Sequence, residues 1–176
     1  LPPTFGRVYR AGLRKSEDNP LASQLYILCQ SSDKTITMAP DALKKNLRTY
    51  LNEFRLISDA VDILGGTVVN YGINFSIIIT PSANKSTVVA AVVSAIKDVT
   101  DIKYYQIDQP ILEADIINAI INTSGVLSLV DLAFVNKSGT ESGREYSEYV
   151  FDLVSNTFKG LIVGPIGSIF EIKFNK

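Results

Sequence analysis

The sequence has no histidine, no tryptophan and a single cysteine, Cys29, among its 176 residues. Without histidine there can be no Ser-His-Asp or Cys-His relay and no histidine metal cage. One cysteine excludes an internal disulfide. Charge of either sign is also scarce in excess: 17 Lys and Arg stand against 18 Asp and Glu, a net of -1. So neutral a chain has no general pull toward phosphate backbones or anionic lipid, and neither nucleic acid nor a membrane is an expected partner. Long apolar runs are missing as well. The stretches 126–135 and 161–170 are short or broken by Gly and Pro, well under the ~20 residues a spanning helix needs. No apolar leader segment follows Leu1-Pro2-Pro3-Thr4. The only methionine is Met38, so a chain starting at Leu1 is expected to be the C-terminal part of something longer.

What is present is a folding composition, 46% hydrophobic and 20% charged. A chain of this size buries roughly 70% of its unfolded surface and needs no staple. Phe5 to Ala11 reads as a strand, rich in aromatic and β-branched residues, followed by a polar turn over 15–20. Leu25 to Cys29 reads as the second strand of a hairpin, and 31–34 as another polar break. From Pro40, the residues Leu43, Leu47, Tyr50, Leu51, Phe54 and Ile57 recur every three or four positions. That spacing predicts an amphipathic helix of about five turns, closed by Gly65-Gly66.

Thr67 to Thr80 alternates strictly: Val69, Tyr71, Ile73, Phe75, Ile77 and Ile79 on one face, Asn70, Gly72, Asn74 and Ser76 on the other. This is a long, half-buried strand. A helix with Val88, Val89, Val92, Val93 and Ile96 follows, capped by Asn84 or Ser86. Then come a short strand at Tyr104, Tyr105 and Ile107, and a helix from Gln109-Pro110 through Ile121 that Gly125 stops. Val126 to Val135 forms another strand. Residues 136–147 read as a polar loop, and Phe170, Ile172 and Phe174 as one face of a closing strand. The expected class is α+β: small mixed sheets with helices on one face and a strand-helix-strand-helix-strand unit from about 67 to 135. Its segments are 1–62, a hairpin plus long helix; 63–136, the α/β unit; and 137–176, a loop and closing β segment.

Candidate chemistry is thin. Asp59 with Asp62, Asp98 with Asp101, and Glu113 with Asp115 could each be a paired acid and base or a cation site. Solvated acids at helix ends explain them more simply. Cys29 has no base to activate it and reads as a small buried hydrophobe. Gly65-Gly66 and the glycines of 139–143 and 160–167 lack both the P-loop ending and the dinucleotide-binding spacing, so they mark turns. Arg7, Arg10, Arg14 and Lys15 form a small basic cluster around Tyr9, but Glu17 and Asp18 follow at once. Asn84, Asn122 and Asn136 sit in glycosylation-type triplets that read as caps and polar loops. Tyr104, Tyr105, Tyr146 and Tyr149 are possible interface anchors, offset by the tendency of such rings to pack internally. No catalytic, cofactor-binding or metal-binding residue is expected, nor a small-molecule substrate.

Several stretches occur in the same order as in a known family. Phe5-Gly6-Arg7-Val8-Tyr9 resembles an opening strand, Leu47 to Ile63 a long helix and its exit, and Val68 to Phe75 the strand after it. Gln106 to Ile111 resembles the next junction, Ser124-Gly125-Val126 a step into a sheet strand, and Ile169 to Phe174 a closing strand. Together they resemble the C-terminal region of the baseplate wedge protein of contractile-tailed bacteriophages, a relative of the baseplate J-like family. Residues 139–152 follow no part of that pattern. The resemblance implies a structural, non-enzymatic role in the virion tail baseplate, assembled in the host cytoplasm. It implies self-association as a homodimer through this region, and contacts to other baseplate wedge proteins that join wedges into a ring.

Overall fold

The computed structural model describes residues 7–16, 19, 21–54 and 60–174, and its architecture is α+β. The chain groups into two compact units. One comprises Leu1–Val68, Gln106–Asp108 and Pro165–Ile169; the other comprises Val69–Tyr105, Gln109–Gly164 and Phe170–Lys176. Each unit is thus built from separated stretches of chain, whereas the segments read from the sequence are consecutive.

In the first unit, strand β1 (Arg10–Lys15) pairs antiparallel with β2 (Ala22–Gln30), Arg10 opposite Leu28 and Lys15 opposite Ser23. The expected hairpin is there, but its first strand starts later than 5–11, and Phe5 and Gly6 lie outside the described residues. Pairing with the apolar β2, not the composition of β1, sets the extent. Strand β3 (Ile36–Met38) pairs with the end of β2. Helix α1 (Asp41–Asn52) begins directly after an extended Pro40 and buries Leu43 and Leu47, one turn apart. It is shorter than the expected five turns: Glu53 and Phe54 close it by donating to the carbonyls of Tyr50 and Leu51, and 55–59 lie outside the described residues.

Where a helix exit was expected, β4 (Ala60–Gly65) runs parallel to β2, Ala22 opposite Ala60 and Ile27 opposite Gly65. The ladder with β2 satisfies its backbone, a gain no local helix preference offsets. Ile27, Ala39, Leu43, Leu47 and Ile63 form the dry core, with Leu25, Cys29, Leu51 and Val61 packed around it. Each large aliphatic side chain fully buried there contributes about 1.5–3 kcal/mol.

A clasp completes this unit. One carboxylate oxygen of Asp108 accepts the Gly167 N–H at 2.6 Å, the other meets Arg14 at 3.4 Å, and the Asp108 N–H donates to the Ser168 carbonyl at 2.8 Å. Gly167 has φ +76, and a Cβ there would lie 2.2 Å from the Tyr26 ring. Only glycine fits that position.

The second unit contains, in chain order, β5 (Thr67–Ile79), α2 (Lys85–Val99), β6 (Ile111–Leu112), α3 (Glu113–Ile121) and β7 (Val126–Lys137). The hairpin β8 (Thr140–Glu141) and β9 (Arg144–Glu145) follows, then β10 (Thr157–Phe158), β11 (Leu161–Ile162) and β12 (Ser168–Glu171), the first two residues of β5 and of β12 being counted with the first unit. β5 is the centre of a three-stranded sheet in the order β12-β5-β7, antiparallel to β7 from Asn70 to Ile79. β6, β10 and β11 make a second small sheet. The Asn84 side chain caps α2, accepting from the N–H groups of Ser86 and Thr87, and Val88, Val92 and Ile96 form the buried stripe.

Four expectations change here. Residues 102–104 form a 3-10 turn capped by Asp101, not a strand. The third helix starts at Glu113 rather than at Gln109-Pro110, because Ile111 and Leu112 are held by β11. The loop 136–147 contains the β8–β9 hairpin. The closing strand is 168–171 and is buried on both faces, including Glu171, instead of alternating through Phe174.

Candidate functional site

A cleft of about 440 Å³ lies within the second unit. β5 lines it with Tyr71, Gly72, Ile73, Asn74 and Phe75, and α2 with Val93, Ile96, Lys97 and Thr100. The remaining wall comes from Lys137, from Glu141, Ser142, Arg144 and Tyr146 around the hairpin, and from Ile172 and Phe174. Successive strand residues point to opposite faces. Five consecutive β5 residues can therefore share one cleft only if it runs along the edge of the strand.

That edge is open. β12 has four residues against thirteen in β5, and it lies beside the start of β5: Thr67 N–H donates to the Gly167 carbonyl, and the Asn70 amide to the Glu171 carbonyl. Among the described residues no other strand pairs with this side of β5.

The cleft is cationic and aromatic. Lys137 and Glu141 form an ion pair at 2.6 Å, and their hydrogen bond holds the Glu141 carboxyl below its ordinary range and lifts the Lys137 ammonium. Lys97 and Arg144 have no carboxylate within ion-pair distance among the described residues. The Arg144 guanidinium sits 5.3 Å from the Phe174 ring centre, and Tyr146 meets that ring edge-on at 5.2 Å. Burial pushes the Tyr71 phenol well up and raises that of Tyr105. Tyr71 is therefore a neutral wall of the cleft at physiological pH.

A buried polar node holds the hairpin in place. Asn70, 1% exposed, donates from Nδ2 to Glu171 Oε2 at 2.9 Å and accepts the Ser147 N–H on Oδ1 at 2.7 Å. Ser147 and Tyr146 in turn close the hairpin base, through Gly139 N–H to the Ser147 carbonyl and Tyr146 N–H to the Gly139 carbonyl. The position of Tyr146 in the cleft thus depends on Asn70. Glu171 is 5% exposed, and a carboxylate so buried is tolerated only with hydrogen-bond donors around it.

The acid pairs read from the sequence do not converge. Asp59 lies outside the described residues, and Asp62 is exposed on β4 opposite Gln24. Asp98 is exposed, while Asp101 caps the 3-10 turn and pairs with Lys103 at 2.9 Å. Glu113 and Asp115 occupy the first turn of α3, where acids favour the helix dipole. Among the described residues no three His, Cys, Asp or Glu groups could hold a metal.

Cys29 is a free thiol against the first unit's core, its pKa raised by burial. In the basic cluster, Arg14 is paired to Asp108 and Arg10 stacks on Tyr9. Of the triplet asparagines, Asn84 and Asn122 flank helices, and both amide atoms of Asn136 are buried. Tyr104 and Tyr149 are exposed, Tyr105 is buried, and Tyr146 lines the cleft. Sequence reasoning missed Asn70, Glu171, Lys97 and Arg144. Asn70 read as one of several polar-face residues of its strand, with no local signal of burial; the partners come from distant chain.

Compared with protein-family models and with curated proteins, the chain matches none.

Proposed function

We propose that the chain is a structural protein of a phage tail baseplate wedge, working by self-association and by contacts to other wedge subunits. The ordered resemblance described above supports this reading. The structural observation that carries it is the apolar surface of each unit. Leu13, Leu21, Met38 and Phe54 are exposed in the first; Leu127, Val130, Val150, Val154 and Phe158 are exposed in the second, Leu21 and Val154 by 78% and 76%. Exposed apolar side chains favour protein interfaces where they join into one patch. Sedimentation of the purified chain should show a concentration-dependent dimer. A strict monomer at high concentration would remove the self-association, and absence of the chain from purified virions by mass spectrometry would sink the assignment.

The cleft favours a second, compatible reading: a binding module without catalysis.

A further inference from the structure

We propose that the cleft docks an extended acidic segment of a partner protein, added as a strand along the open edge of β5. The inference rests on the binding-module reading and names its ligand. Its first ground is geometry. The cleft follows the edge of β5 from Tyr71 to Phe75, past the end of the four-residue β12. An edge with no paired strand among the described residues offers main-chain donors and acceptors, which an extended peptide satisfies and a compact small molecule does not.

The second ground is charge. Three cations, Lys97, Lys137 and Arg144, line the cleft against one carboxylate, Glu141, already engaged by Lys137. Two positive charges are left for the occupant, so complementarity selects acidic side chains. The third ground is the apolar wall. Phe75, Tyr146 and Phe174 give an aromatic seat for one large side chain. Along an extended ligand, acids and apolar residues then alternate, matching the two-residue period of a strand.

The chain has no tryptophan, so tryptophan emission from a peptide reports binding without background. The probe is the full chain titrated with acetyl-Asp-Trp-Glu-Leu-Asp-amide. We expect a saturable blue shift, and amide chemical-shift changes centred on Gly72 to Phe75. The Asn/Gln counterpart of the peptide and a version N-methylated at its central residue should each bind at least several-fold more weakly. Arg144→Glu and Lys97→Glu, at exposed or half-exposed positions, should each weaken binding roughly three- to tenfold. Raising salt from low to about 0.5 M should weaken it as well.

No saturable binding, or shifts away from 72–75, overturns the proposal. Equal affinity for the neutral peptide removes the acidic partner while leaving a binding module. Tight binding of free indole-3-acetate, equal to that of the peptide, replaces strand addition with a small-ligand site. Wild-type shift mapping decides the matter if a variant fails to fold.

Discussion

Two clusters of the interior, one in each unit, are built on different terms. Beneath α1, five buried apolar residues make a core in which every contact is non-directional. Around Asn70 the interior is directional: one amide serves a carboxylate, a carbonyl and a backbone N–H together. The first kind of interior loses stability in proportion to the volume removed. The second leaves unpartnered groups behind when any member goes. The apolar interior therefore holds a fold together, while the polar one fixes where a particular segment sits.

The strongest perturbation should be Ile27→Ala, at a 1% exposed position of the apolar core. It is expected to cost about 3–4 kcal/mol in denaturant unfolding and to leave peptide binding in the second unit intact. Asn70→Ala should cost somewhat less, about 2–3 kcal/mol, yet it should also loosen the hairpin and weaken the peptide. A variant that unfolds more easily but binds normally would break the contrast. A double-mutant cycle of Asn70→Ala with Glu171→Ala sharpens it, with an expected coupling above about 1 kcal/mol.

Asn84→Ala, which removes the α2 cap, should cost about 1 kcal/mol without a binding effect. The smallest effect is pH-dependent. The folded Glu141 carboxyl lies below its ordinary 4.5, so its pair with Lys137 acts fully above that pH and is lost as pH falls through the folded value. Lys137 lies above its ordinary 10.5, so its share is present below 10.5 and lost as pH rises through the folded value. Side-chain NMR titration reads both, and a Glu141 titrating at or above 4.5 contradicts the pairing.

Elements whose pattern is self-contained were legible in the sequence. The alternation of 73–79 and the Asn84 cap with its Val88, Val92 and Ile96 stripe needed no distant partner to interpret. Elements defined by a partner were not. Residues 60–65 come after an amphipathic helix, and only the ladder with β2 makes them a strand. Glu171 sits among Phe170, Ile172 and Phe174, a pattern that places an acid in solvent. It is buried because Asn70, 101 residues earlier, supplies a donor. The cleft was illegible for the same reason, since β5, α2, the hairpin and residues 172–174 meet only in three dimensions.

The span between Asn70 and Glu171 also orders events in time. β5 can pair with β7 once the chain has reached Lys137, but its other edge must wait for Ser168 to Glu171. During synthesis the sheet is a two-stranded ribbon with one bare side, carrying an amide whose acidic partner has not yet emerged. Two strands alone are marginal in water, and contacts this distant in sequence form slowly. The topology therefore leaves this edge of β5 without its strand until the end of synthesis. Until the last strand arrives, that edge is the place where one nascent chain would pair with another.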